Sequence, residues 1–167
     1  MKNFIISFLA FLLTLSPHST SLLSINQQIT NNTNVAAPKI INAIETRDVA
    51  ALEAMMCLNI KQNVENLHGK IGDMLDLIEG DITDALWENR GGSYEGHQND
   101  GRTIIQGGIS IYITTTTGTY AVGVWWEDAN NFAREETGIR NIGLSQTNPL
   151  KSLAIISAIE GVGSWHD

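Results

Sequence analysis

Side chains able to exchange protons are concentrated in one polar segment in the second half of the chain. His97 lies there between two acidic residues, Glu95 and Asp100. A histidine beside a carboxylate can act as a general acid and base, and the phenol of Tyr112 could complete such a set. The same segment contains Asn-Asp-Gly at 99–101, which indicates a polar turn between two strands. A turn is therefore the better interpretation, and catalysis by these four side chains is the weaker one.

Aromatic residues of the same half of the chain indicate a binding surface. Trp125 and Trp126 are adjacent, so in a strand they point to opposite faces, and only one of them can belong to the core. A ring on the other face can line a ligand groove or stack on a sugar, although packing is its commoner role. The residues that we expect to bind a ligand are Trp87, Tyr94, Tyr112 and Trp125.

Metal, thiol and phosphate chemistry have little support in the sequence. Beyond residue 21 no two histidines have the spacing of a helical zinc site, and these histidines are His68, His97 and His166. The single cysteine, Cys57, follows two methionines, so we expect a buried, inert thiol. The glycine pairs at 91–92 and 107–108 precede neither a helix nor a Lys-Ser/Thr pair, so they predict no phosphate loop. We therefore predict no metal and no cofactor.

Length and charge exclude further classes of function. The 167 residues suit one domain, and ten Lys and Arg against 18 Asp and Glu give a net charge of -8. Without a basic cluster, such a chain is repelled by nucleic acid and by anionic membrane surfaces. The expected partner is an unknown small molecule or protein, and self-association remains an alternative.

The first 21 residues have the pattern of a secretory signal peptide. Lys2 precedes an apolar run at 4–13, and the small residues Ser19 and Ser21 follow as a cleavage site. An uncleaved anchor is the weaker alternative, because a run of about ten residues is too short to span a bilayer. No cysteine follows the run to carry a lipid. We expect a secreted or periplasmic product with no stable membrane anchor after cleavage.

Beyond the signal, the pattern changes from a polar tether to helices. Residues 22–37 are rich in Asn, Gln and Thr and almost without charge, so they predict a flexible tether. Apolar residues recur at helical spacing from Pro38, which suits a first helical position, and Asp48 can cap a second helix. A third helix is predicted over about residues 59–78, where an apolar stripe is stopped by glycine.

Beyond Gly80 the apolar period becomes two, which is typical of antiparallel strands. Alternation over 105–114 predicts a strand with one buried face, and Thr117-Gly118 predicts the turn to a returning strand. A final strand is expected at about 138–144, and an earlier one fits at 81–87. The order of elements predicts an α+β fold with N-terminal helices packed on a curved antiparallel sheet of about four strands.

The segment 148–167 is predicted to form a C-terminal helix and tail. Asn148 and Pro149 suit a helix cap and a first-turn proline, an apolar run extends to Glu160, and Gly161 supplies a stop. A helix so apolar should dock on the sheet or close its pocket, because its exposure to water is unfavourable. Self-association and contact with a partner protein are the alternatives.

Several stretches resemble a group of uncharacterised exported bacterial proteins. They are Ala43–Leu52, the helix end at 76–80, Trp87, Gly91-Gly92-Ser93 and the Thr-rich hairpin. Those proteins look like members of the nuclear-transport-factor-2-like (cystatin-like) superfamily, in which a curved sheet wraps a long helix in a cone. The resemblance covers roughly residues 38–144. It implies a pocket between sheet and helices but no assigned reaction.

Together these observations predict four segments: a signal peptide at 1–21, a tether at 22–37, an α+β domain at 38–147, and the helix and tail at 148–167. Because no catalytic motif is present, we predict a non-catalytic ligand-binding or protein-interaction module. The alternative is a small-molecule isomerase or hydrolase that uses a pocket carboxylate with Tyr or His. A buried acid beside a tyrosine hydroxyl in the pocket would favour the enzyme, and an apolar pocket would favour binding.

Overall fold

A computed structural model describes residues 17–97, 102–130 and 134–157 of the chain. Within these ranges four α-helices come first, namely α1 (Pro17–Glu45), α2 (Val49–Met55), α3 (Leu58–Asn63) and α4 (Leu67–Asp76). Five strands follow, namely β1 (Ile82–His97), β2 (Arg102–Thr115), β3 (Thr119–Asn130), β4 (Gly138–Thr147) and β5 (Leu150–Ser157). A short 3₁₀ helix, Arg134–Glu136, lies between β3 and β4. The predicted α+β class is confirmed.

The strands form one open antiparallel sheet in which each strand pairs with the next along the chain. The alternation in β2 has the predicted effect, since Ile109, Ile111 and Ile113 are all buried. Opposite them in β3, Val122 and Val124 are buried on the same face. The meander predicted for these strands is therefore present, with five strands instead of about four.

The fifth strand replaces the predicted C-terminal helix, which is wrong over residues 150–157. β5 pairs with β4, and Asn148 and Pro149 form the turn between them instead of a helix start. The sequence did not separate the two outcomes because a short apolar run fits a helix or a buried strand equally well. Pairing with β4 favours the strand, because the backbone groups along that edge of β4 would otherwise lack partners in the sheet. The rest of the predicted helix lies outside the described residues.

The predicted flexible tether is also wrong, because residues 22–37 form part of α1. The buried residues of this helix recur every three or four positions, at Ile29, Thr33, Ala37, Ile40 and Ile44. Such spacing gives a helix one buried face. Thr33 belongs to this face because its hydroxyl donates to the carbonyl of Ile29, 2.8 Å away, and so stays satisfied. Pro38 accordingly lies inside α1 and not at its first turn.

The predicted third helix is divided into α3 and α4. Asn66, which precedes α4, has a φ of 51°, a left-handed conformation that cannot continue a right-handed helix. Asparagine adopts this conformation more readily than most residues do. The cap predicted for the preceding helix is confirmed, since the Asp48 side chain accepts from the backbone N–H of Ala51 at 2.9 Å.

Buried side chains from helices and strands belong to one hydrophobic cluster, which includes Ile40 and Ile44 of α1, Ile71 of α4, and Ile111 of β2. At one end of this cluster Arg47 donates to the carbonyls of Leu75 and Ile78, at 2.5 and 2.7 Å. There the hydroxyl of Tyr120 accepts from the backbone N–H of Glu79, at 3.1 Å. We call this group of contacts around the end of α4 the clamped end. No helix in the described part of the chain combines the length and apolarity that a membrane span requires.

Candidate ligand-binding cleft

A cleft of about 430 Å³ lies at the other end of β3, with α1 on one side. Its helix wall consists of Asn32, Val35, Ala36, Lys39 and Ile40. Its strand wall consists of Trp126, Glu127, Asp128, Gly138 and Ile139, and Met55 and Thr137 complete the lining. The volume falls within the range of small-molecule sites, and the lining is mostly apolar with a few polar groups.

Two β-bulges shape the sheet beside the cleft. In β3, Asp128 has no partner residue on β2, because the register shifts beside it. In β4, Arg140 has no partner residue on β3, because the register shifts between Trp125 and Trp126. A bulge bends its strand and changes the direction of a side chain, and bulges are common next to functional sites. The bulge in β3 accounts for the two successive charged residues, Glu127 and Asp128, at the end of this apolar strand.

Asp128 is the polar group of the cleft whose hydrogen bonding is incomplete. Its Oδ1 accepts from the indole Nε1 of Trp126 at 3.0 Å, and the side chain of Asn32 also bonds to the carboxylate. Its Oδ2 is buried without a hydrogen-bond partner. Burial raises the pKa of the Asp128 carboxyl above its usual value, and the bonds from Asn32 and Trp126 oppose that effect. A buried acceptor without a donor is unfavourable, and here it leaves the carboxylate only partly stabilised by the protein.

The neighbouring carboxylate, Glu127, is fully engaged within the protein. Its side chain is only 1% exposed, and Oε2 accepts from Arg140 Nη1 at 2.8 Å and from Gln106 Nε2 at 3.0 Å. Arg140 also bonds to Glu136 through Nε, at 3.0 Å, and Asn59 donates to Glu136 in turn. Because the buried charge is paired and hydrogen-bonded, Glu127 can serve as a structural anchor of the strand wall.

Of the side chains predicted to exchange protons, only that of Tyr112 is described, and it lies outside this cleft. The Tyr112 hydroxyl donates to Glu88 at 2.6 Å, and this bond raises the pKa of the tyrosine. Neither residue lines the cleft. The backbones of Glu95 and His97 lie in β1, paired with β2, and Asp100 lies outside the described residues.

The predicted aromatic groove is divided between the two faces of the sheet. Trp126 is the buried member of its pair and is 5% exposed, as expected for one of the two. Trp125 lies on the opposite face, where its ring leaves no room for a side chain at residue 108, since a Cβ there would be 2.4 Å from the ring. Trp87 packs against the core, and Tyr94 lies further along β1. Tyr112 shares the face of Trp125.

Cys57 is buried, as predicted, and burial raises the pKa of its thiol. Its backbone N–H donates to the carbonyl of Ile139 in the strand wall, at 3.0 Å. Gly138, next to it, has a φ of 121°, and a Cβ there would lie 2.9 Å from the Cys57 nitrogen, so only glycine fits this approach. Among the described residues, no three His, Cys, Asp or Glu side chains form a group that could hold a metal ion.

Sequence reasoning missed Asp128 and the whole helix wall. The sequence Trp-Trp-Glu-Asp at 125–128 was the available signal, because two carboxylates directly after a buried strand are unusual in a core-facing position. The helix wall gave no such signal, because Asn32, Val35 and Ala36 lie in the stretch that was interpreted as a tether.

The fold and the cleft together define an α+β domain with an open five-stranded antiparallel sheet and no assigned activity. Residues 39–147 match the family Domain of unknown function (DUF5104), and the chain belongs to that family. The prediction of an uncharacterised family is thereby confirmed. No curated protein matches the chain. The strand wall lies inside the matched region, whereas Asn32, Val35 and Ala36 of the helix wall precede it.

Proposed function

We propose that the protein is an exported, non-catalytic module that binds a small, mainly apolar molecule in the cleft between α1 and the strand wall. The observation that carries this proposal is the cleft of about 430 Å³, with an apolar lining and one buried carboxylate oxygen without a partner. Among the lining residues that the structure describes, there is no tyrosine hydroxyl or histidine to act with the carboxylate, which favours binding over catalysis.

The cone of the nuclear-transport-factor-2-like fold forms part of the same proposal. In that fold a long helix lies against a curved antiparallel sheet, and a ligand enters between them. Two features support the assignment: buried residues of α1 share one cluster with β2 and β3, and bulges interrupt β2–β3 and β3–β4 pairing. Bulges are the usual means of curving a sheet.

A filled cleft tests the binding proposal. Val35 is 58% exposed at the rim, so Val35→Phe adds bulk to the helix wall without forcing a ring into the core. The matched control is Ala50→Phe, at an exposed position of α2 that does not line the cleft. With 4-phenylbutanol as the probe, calorimetry should show binding to the wild type and the control, and a loss of about tenfold or more in Val35→Phe. Equal binding by all three proteins would refute the proposal.

Export is the second part of the proposal, and it rests on the signal pattern at 1–21. The N-terminus of protein recovered from periplasm or medium should lie between Leu22 and Asn26, as mass spectrometry would show. That cleavage leaves every residue of the helix wall in the mature chain. Intact Met1 in a cytoplasmic fraction would refute export.

A second candidate function, an isomerase, is favoured by the raised pKa of Asp128, since a carboxylate of raised pKa is a better general base. In D₂O such an enzyme would exchange the α-hydrogens of an apolar ketone such as phenylacetone, because proton abstraction is followed by return of a deuteron. Exchange that Asp128→Asn abolishes would decide for the enzyme, and exchange no faster than in buffer would decide for the binding module.

A further inference from the structure

We infer that the ligand of the cleft is a cationic amine with an apolar body, whose ammonium group binds the carboxylate of Asp128. This inference rests on the proposed binding function and adds the chemical class of the ligand. It follows from three features of the cleft: the incomplete hydrogen bonding of Asp128, the aromatic ring beside it, and the balance of charges in the lining.

The hydrogen bonds of Asp128 select a donor. Oδ1 accepts from Trp126, Asn32 also bonds to the carboxylate, and both of these donors stabilise its ionised form. Oδ2 is buried without a partner and has no open surface, so a ligand meets the carboxylate as a charged group and not through this oxygen. A ligand ammonium in the cleft brings an opposite charge to it, whereas a ligand carboxylate would place two negative charges together. An ammonium forms a charge-assisted bond, which is about twice as strong as a neutral one.

The ring of Trp126 supports the same ligand class. Its indole N–H is fixed on Asp128, so the ring and the carboxylate lie side by side in the strand wall. Because Trp126 lines the cleft, the apolar body of such a ligand can pack beside this ring while its head group faces the carboxylate.

In the described part of the lining, the charged groups are Lys39, Glu127 and Asp128. Arg140 pairs with Glu127 at 2.8 Å, so that carboxylate is compensated within the protein. Lys39 is exposed on the helix wall, where water screens its charge, whereas the Asp128 carboxyl is partly buried. Buried charges are screened less than exposed ones, so the negative charge of Asp128 dominates the interior of the cleft.

Three probes of equal length and different head group test the inference, namely 4-phenylbutylamine, 4-phenylbutanol and 4-phenylbutyrate. We expect the amine to bind about ten- to a hundredfold more tightly than the alcohol, as a bond to a charged group implies. The carboxylate should bind most weakly. In Asp128→Asn, which keeps an acceptor for Trp126, the affinity for the amine should fall to about that for the alcohol.

The pH dependence of the wild type gives a test that needs no variant. The preference for the amine should disappear as the pH falls through the pKa of Asp128, which lies above its usual value. Equal affinities for amine and alcohol at neutral pH, or a preference unaffected by Asp128→Asn and by acid, would overturn the inference and leave the binding proposal standing. Failure of all three probes to bind would instead refute the binding proposal itself.

Discussion

The two ends of β3 differ in how they satisfy their polar groups. At the clamped end, Arg47 donates to two carbonyls at the end of α4, and the Tyr120 hydroxyl accepts from Glu79. At the cleft end, Glu127 is fully paired, yet Asp128 beside it keeps one buried oxygen without a donor. Buried polar groups in native proteins are nearly always bonded, so such an exception at a cleft indicates that this end is built for something other than stability.

This comparison teaches where function lies in a fold without a catalytic motif. At the clamped end, hydrogen bonds join the chain around the end of α4 to Arg47 and to Tyr120 of β3, and mutations there should affect stability alone. The cleft end combines a buried ion pair, two bulges and an incomplete carboxylate. Its residues should divide into those that hold the strand wall and those that bind the ligand.

Arg140→Ala should have the largest effect on stability. It removes the guanidinium of Arg140 from the carboxylate of Glu127, which is only 1% exposed, and the loss of this buried ion pair costs about 3 kcal/mol of unfolding free energy. Urea unfolding measures the loss. The double variant Glu127→Gln/Arg140→Ala is the control, because removal of the charge should recover most of the stability. If the double variant is as unstable as Arg140→Ala, the ion pair is not the cause.

Arg47→Ala should have the next largest effect, at the clamped end. Two carbonyls lose their donor, and because the arginine is partly exposed, water replaces some of the bonding, so the expected loss is about 1.5 kcal/mol. Lys70→Ala, at an exposed position of α4, is the matched control and should change stability little. Ligand affinity should stay at the wild-type value. Weaker ligand binding by Arg47→Ala would contradict the assignment of stability to the clamped end and of binding to the cleft end.

Cys57→Ala should cost about 1 kcal/mol, since a small buried side chain is lost from the core. Its thiol also reports on opening, because Cys57 hydrogen-bonds to Ile139 of the strand wall. Labelling of the native wild type by a thiol reagent should be slow, and slower still with ligand bound. Rapid labelling of the free protein would contradict the burial of this residue.

Asp128→Asn should have the smallest effect on the free energy of unfolding, and it should raise that free energy instead of lowering it. Because the folded-state pKa of Asp128 is raised, its contribution to stability is complete below the unfolded pKa and is lost as the pH rises through the folded value. The ionised carboxylate therefore destabilises the fold at neutral pH. The variant should be more stable there by less than about 1 kcal/mol, with a flatter pH dependence of the unfolding free energy. A clear loss of stability would make Asp128 a structural residue.

Much of the sheet could be predicted from the sequence, because one buried face imposes alternation on strands such as β2. The burial of Cys57 could also be predicted, because its neighbours in the sequence are apolar. β5 could not be predicted, since its pairing depends on the edge of β4 and not on its own pattern. The helical continuation through residues 22–37 was hidden because Thr33 occupies a buried position with a satisfied hydroxyl.

The cleft was beyond sequence reasoning for a different reason. Asp128 and Asn32 are 96 positions apart in the sequence. A β-bulge sets the position of Asp128, and Asn32 lies in the part of α1 that was interpreted as a tether. Neither a bulge nor its register leaves a distinctive spacing of residues. Long-range contacts of this kind come from the packing of whole elements, so only the assembled fold reveals them.

The family match covers the strand wall of the cleft but only part of its helix wall. The region shared with the family begins at Lys39, so it includes the strand wall with its carboxylates but not Asn32, Val35 or Ala36. Substitutions at these three positions can change the size and polarity of the cleft without altering its carboxylates. The part of the cleft that meets the body of a ligand can therefore vary independently of the part that carries its charge.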